Sequence, residues 1–252
     1  MEKIRISAVK YANTYPFIYG LTESGFDAKV ILETDHPADC ASKLISGKVD
    51  IGLVPVAILP LLSEYHIISE YCIGANRNVR TVMLLSNCPF NNIETVFLDY
   101  RSRSSVNLSK VLAKNYWNSE FRWMNTSKGF DFRNIKKNEA VVLIGDQCFE
   151  YEKSFSYKID LALEWKNFSG LPFVFACWTA NKIIDQEFIS EFNKALSLGV
   201  GNIDAVVQKY GKTGVISGNN LRTYLKENID YDLDDDKKKA MKLFLELMGK
   251  LK

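Results

Sequence analysis

Short apolar runs broken by proline and glycine recur along the chain, and their period switches between that of strands and that of helices. IRISAV at 4–9 predicts a strand; Pro16 stands where a first helical turn begins, and the run to Leu21 predicts a short helix ending near Gly25. AKVILE (28–33) predicts the next strand. Pro37 then opens a helix carrying Ala41, Leu44 and Ile45, which stops at Gly47 before the strand VDIGLV (49–54). The order is βαβαβ. A third helix is expected after Pro55, followed by strands around 67–73 and 79–85.

A second α/β block starts at Glu94. ETVFLD (94–99) predicts a strand, residues 102–105 begin a helix carrying Val106, Leu108, Val111 and Leu112, and AVVLIGD (140–146) predicts a buried strand ended by Gly145. KIDLAL (158–163) and PFVFACW (172–178) complete the strand set, and everything after them reads as helix. In the last of these, 234–251, Met241, Phe244, Leu245, Met248 and Leu251 share one face that packs on the protein. Two α/β blocks in series, then helices, predict two lobes joined by crossing strands. Residues 1–86 form the first part of lobe 1, 87–176 form lobe 2, and 177–252 supply the return strand and late helices of lobe 1.

Composition narrows the partners. The chain has 252 residues, 47% hydrophobic and 25% charged, enough for a large core. Lys plus Arg number 32 and Asp plus Glu 30, so a net charge of +2 gives no reason to expect nucleic acid, and a small molecule is the expected partner. Cys40, Cys72, Cys88, Cys148 and Cys177 are widely spaced and odd in number, which reads as reduced, buried thiols. The N-terminal MEKIRISAV runs directly into a strand pattern, and no apolar run reaches the ~20 residues of a membrane span. No membrane association and a cytoplasmic location are the expectation.

Most familiar catalytic patterns are missing. There is no GxGxxG after the first strand and no GxxxxGK[ST], although periodicity alone also permits a flavodoxin-like or Rossmann arrangement. The two histidines, His36 and His66, form no HExxH or Cys/His cluster, so no metal is expected, and both histidines read as structural. GxSxG does not occur. What remains are polar turns at strand ends, where open α/β sheets hold ligands: residues 11–16 (YANTYP) after the first strand, and 99–105 (DYRSRSS) between a strand and a helix. Hydroxyls and free N–H groups at a helix start favour an anion, yet Ser102 or Ser104 also suits a plain helix cap. Both readings stand.

Six blocks occur in order: YANTYPFIYGL, PADCASKLISGKVDIGLVPV, YCIGANRNVRTVMLLS, LDYRSRSSVNLSKVL, AVVLIGDQCFE and DLALEWKNFSGLPFVFACW. Together, over roughly residues 4–180, they resemble the chorismate dehydratase family of the futalosine route to menaquinone. The resemblance implies a two-lobed α/β fold of the type II periplasmic-binding-protein kind with a cleft between lobes. It further implies conversion of chorismate into 3-[(1-carboxyvinyl)oxy]benzoate and water with no metal or organic cofactor. Position by position, Asn13 falls on the family's first-turn Asn, in the turn that also carries Tyr11, and Thr81 stands where the family often has Ser. Ser102, Ser104 and Ser105 fall on a D-x-x-S-R-T-S-like turn, with Ser104 in place of Thr; Gly145 and Asp146 fall on its LIGD block. Asn13 and Thr81 are thus the expected catalytic positions, and Tyr11, Ser102, Ser104, Ser105, Gly145 and Asp146 the expected substrate-binding ones. The last helices match nothing so specific and are expected to serve the fold. Two alternatives are a solute-binding protein with the same clamp, and the sister 1,4-dihydroxy-6-naphthoate synthase, whose first turn usually reads SPCPND-like where this chain has YANTYPF.

Overall fold

The computed structural model describes residues 3–212, 215–216 and 218–251. In chain order the elements are β1 (Ile4–Val9), α1 (Tyr15–Glu23), β2 (Val30–Asp35), α2 (Pro37–Ile45), β3 (Ile51–Pro55), β4 (His66–Ala75), β5 (Val82–Ser86), β6 (Thr95–Leu98), α3 (Ser104–Leu112), β7 (Arg122–Asn125), β8 (Glu139–Ile144), α4 (Cys148–Tyr151), β9 (Tyr157–Asp160), α5 (Leu161–Ser169), β10 (Phe173–Ala180), α6 (Gln186–Val200), α7 (Ile203–Tyr210), α8 (Gly218–Thr223), β11 (Asp230–Asp232) and α9 (Asp235–Gly249).

They form two sheets, ordered β11-β4-β10-β3-β1-β2 and β7-β6-β8-β5-β9. β1 runs parallel to β2 and β3, while β10 returns antiparallel between β3 and β4. In the second sheet β6 is parallel to β7 and β8, and β5 is antiparallel to β8 and β9. The chain crosses between sheets twice, over 76–81 and over 170–172. β5 lies inside the stretch 1–86 expected for lobe 1 yet pairs in the second sheet, and β10 begins ahead of residue 177 and pairs in the first. An apolar run reads the same in either sheet, so periodicity did not reveal where the crossings fall.

Local chemistry explains the other departures. KIDLAL is a strand only to Asp160, whose carboxylate accepts from Ala162 N–H (3.0 Å) and Leu163 N–H (3.3 Å) and so starts α5 at Leu161. After Pro55 the chain makes a six-residue 3-10 segment, Val56–Leu61, in place of an α-helix, with Pro60 inside it. β7 and β11 are edge strands of four and three residues, too short for a periodic signal, and β11 interrupts a stretch expected to be wholly helical.

One apolar core runs through both lobes, and a smaller one under Phe132 and Phe155 covers the other face of the second sheet. Phe17, Trp178 and Phe192 pack against one another in the first lobe, tilted and edge-to-face, at centroid distances of 5.8 and 5.1 Å; each such fully buried side chain contributes about 1.5–3 kcal/mol. α1 packs so closely on α6 that a Cβ on Gly199 would lie 1.7 Å from Pro16 O and one on Gly20 2.0 Å from Ala195 O. This contact seats the start of α1, and with it the turn carrying Asn13. α9 sits against β10 and α3, so it bridges both lobes, with Phe244 on Phe173 (5.0 Å) and Trp165 (6.1 Å). All five cysteines are buried and free, as expected. Among the described residues no helix is long and apolar enough to cross a membrane.

Candidate active site

The ends of β1, β3 and β8 and the starts of β5 and α3 converge between the two sheets. There, Tyr11, Asn13, Thr81, Ser102, Ser104, Ser105 and Gly145 line one narrow cleft, with Val9, Pro37, Pro55, Ile73, Val79, Val82, Ile144, Phe175 and Ala176 as its apolar walls. Seven of the eight residues singled out in the sequence are thereby brought together, although 134 positions separate Tyr11 from Gly145.

Asp146 is the exception: it turns away from the cleft wall and accepts from Ala12 N–H with both oxygens (3.1 Å each). Gly145 makes that turn possible. Its φ of +75° suits glycine alone, and a Cβ there would stand 2.7 Å from the Tyr11 ring. Gly145 N–H donates to Thr81 O (2.9 Å), which ties the β8 loop to the crossing segment. The Asp146 carboxyl is pushed up to about 6 by burial, the Ala12 N–H only partly offsetting it.

The Ser102–Ser105 turn divides its labour. Ser102 Oγ accepts from Ser105 N–H (3.1 Å), the bond of a helix cap. Ser104 does something neither reading anticipated: its hydroxyl donates to Phe175 O (2.9 Å) and accepts from Ala57 N–H (3.3 Å), holding the second lobe to the first.

Thr81 is buried, with its hydroxyl 2.9 Å from Tyr224 Oη. The preceding Arg80 has a φ of +64°, a strained conformation for a non-glycine residue that costs about 1–3 kcal/mol. It is held there by Arg80 N–H donating to Asp160 (2.7 Å) and by the guanidinium lying over Phe149 (4.8 Å) beside Glu152 (3.3 Å). The first turn is anchored in a similar way, with Tyr231 Oη donating to Asn13 O (3.0 Å). Tyr224 and Tyr231 both come from the late segment expected to serve the fold, and each brings a hydroxyl to a residue of the cleft.

On the cleft side, the Tyr11 hydroxyl is buried with no hydrogen-bond partner among the described residues, and burial pushes its phenol well up, so it is a proton donor at neutral pH. Its ring lies 6.0 Å from that of His36, whose buried Nδ1 is likewise unpartnered and whose pKa is lowered by burial. His66 lies on the surface with Glu64 (2.7 Å). Among the described residues no group of three or more His, Cys, Asp or Glu side chains is placed to hold a metal ion. What the cleft offers is neutral hydrogen-bond donors in an apolar enclosure, suited to an anion.

A family model described as menaquinone biosynthesis matches residues 4–250. The chain belongs to that family. It is 27% identical over 219 residues to the chorismate dehydratase of Campylobacter jejuni, covering 80% of this chain and 96% of the relative. Against the chorismate dehydratase of Thermus thermophilus it is 23% identical over 260 residues, 95% and 93% of the two chains. Among solved structures, protein AF1704 of Archaeoglobus fulgidus superposes with a TM-score of 0.79 at 14% identity over 98% of this chain and 97% of that one. A Candida albicans protein described as having the generic periplasmic binding protein fold gives 0.69 at 13% identity, over 99% and 90%. This member of the menaquinone biosynthesis family therefore has the two-lobed binding-protein fold expected from its sequence.

Proposed function

We propose that this chain is a chorismate dehydratase working in the cytoplasm, converting chorismate into 3-[(1-carboxyvinyl)oxy]benzoate and water without metal or organic cofactor. One observation carries the reading: seven residues at the positions where the family resemblance expects a site line a single cleft between lobes, and the cleft contains a buried phenol donor with no partner among the described residues. The two relatives named as chorismate dehydratases support it.

Chorismate carries two carboxylates, an enol ether at C3 and a hydroxyl at C4. Loss of the C3 proton and the C4 hydroxide creates an aromatic ring, which drives the reaction. The protein must hold two anions, exclude water and help hydroxide leave, all of which hydrogen-bond donors accomplish. In this reading the substrate's own enolpyruvyl carboxylate takes the C3 proton. Asn13 and Thr81 orient the reacting ring and donate to the departing hydroxyl, and the Tyr11 hydroxyl and the 102–105 turn receive a carboxylate. Asp146 braces the first turn from behind.

The test is purified protein with chorismate and no added metal, followed by absorbance and mass. The expected result is loss of one water with appearance of an aromatic product, at a rate unchanged after exhaustive chelation. Chorismate recovered intact would leave a binding protein; activity lost to chelator and restored by a divalent ion would overturn the metal-free mechanism.

A further inference from the structure

Tyr224 belongs to the last third of the chain and to none of the six blocks that carry the family resemblance, yet its side chain meets both the crossing segment and the second lobe. It opens a π-helical turn, Tyr224–Asn228, that follows α8, a local irregularity frequent at functional sites. Its ring is fully buried and takes the edge of Phe149, from the second lobe, at 5.3 Å. Its hydroxyl is 2.9 Å from Thr81 Oγ1 on the crossing segment, and the Asn13 side chain lies near the same phenol. Asn13 Oδ1 in turn accepts from Thr14 Oγ1 (3.2 Å).

These contacts have a direction. Burial pushes the Tyr224 phenol well up, so it keeps its proton and has that proton to give. The acceptor within reach is Thr81 Oγ1. A threonine hydroxyl has one proton, and once its oxygen accepts from Tyr224 that proton is released toward the cleft; among the described residues its other acceptor, Val79 O, is a long 3.4 Å away. We infer that Tyr224 is a positioning residue for the dehydration, its hydroxyl donating to Thr81 Oγ1 in a relay that turns the Thr81 proton toward the leaving hydroxyl. Donation along such a chain polarises each member, so the last hydroxyl is a better donor than an isolated threonine. The relay exists only while Thr81, on the crossing, is in contact with the late segment.

The inference rests on the dehydratase reading, and its experiment separates the two. Tyr224→Phe keeps the ring against Phe149 and removes only the hydroxyl. In that variant kcat for chorismate should fall by about tenfold or more with KM within about threefold of wild type. The same substitution in a Thr81→Val background should change kcat by less than about twofold, because the relay is already cut. A side chain that serves only packing would lower kcat equally in both backgrounds, and that result would overturn the inference, as would an unchanged kcat in Tyr224→Phe. If Tyr224→Phe does not fold, 3-fluorotyrosine at position 224 makes the same test. Its ring occupies the same space and its phenol is the stronger acid, so kcat should rise with KM fixed, and an unchanged or lower kcat would overturn the inference. No turnover of chorismate by the wild-type protein would instead sink the dehydratase reading on which the relay depends.

Discussion

The lobe junction and the C-terminal lock both bury polar groups, but they satisfy them differently. At the lock, Lys237 is fully buried and pairs with Asp230 (2.8 Å) and Asp234 (3.1 Å), while Asp234 also caps α9 by accepting from Lys237 N–H (2.8 Å). Burial pulls the Lys237 ammonium down, but the two carboxylates outweigh it and leave it raised overall. At the junction Asp146 receives only the Ala12 N–H, burial wins, and the carboxyl stays near the edge of titration. A buried charge with its counter-charge makes a clamp indifferent to neutral pH; one with a dipole alone makes a contact that still responds to protons.

Four experiments test that contrast, in falling order of expected effect. Asp230→Asn combined with Asp234→Asn strands the fully buried Lys237 ammonium and should lower stability by about 3–5 kcal/mol, read from the denaturant midpoint; a loss below about 1 kcal/mol would mean the lock is ornamental. Thr81→Val should cut turnover by about ten- to a thousandfold, while stability falls by only about 1 kcal/mol for the lost Tyr224 bond. Activity within a factor of about two of wild type would remove Thr81 from the chemistry.

Asp146 gives the pH signature. Because its folded pKa is raised, the folded state binds more protons than the unfolded state between about pH 4 and 6. Stability should therefore fall as pH rises through that window and be flat above it, with ionisation at neutral pH costing about 3 kcal/mol. Asp146→Asn, which keeps an acceptor for Ala12 N–H, should flatten that slope; an unaltered pH profile would assign the slope to other groups. Ser104→Ala removes the bond to Phe175 O and should cost about 1 kcal/mol, appearing as a modest rise in KM with kcat nearly kept. A fall in kcat with KM unmoved would give Ser104 a role in the reaction itself.

Much of the first lobe was legible. Pro37 and Gly47 bracket α2 because proline suits a first helical turn and glycine its end, and β3 after it reads as the continuous apolar run of a buried strand. The polar turns at residues 11–16 and 99–105 were identifiable as strand-end turns, where open sheets hold ligands. Other features left no local trace. Ser104 was read as a cap or an anion ligand, since nothing near it foretells Phe175 O, 71 positions away. Arg80 adopts a left-handed conformation that its neighbours do not announce, because the force holding it comes from Asp160 and Phe149.

The sequence by itself determined which segments become strands and helices, which residue types stand at their ends, and that those ends carry hydroxyls and amides in place of metal ligands. These properties arise from interactions a few residues long, so they can be read in order. Only the tertiary structure decided which sheet β5 and β10 join, and that Thr81 meets Tyr224 across 143 positions and Ala12 meets Asp146 across 134. Such pairings depend on how whole layers pack, where an apolar run fits either sheet equally well and a buried tyrosine looks the same whether its hydroxyl fills space or directs a proton.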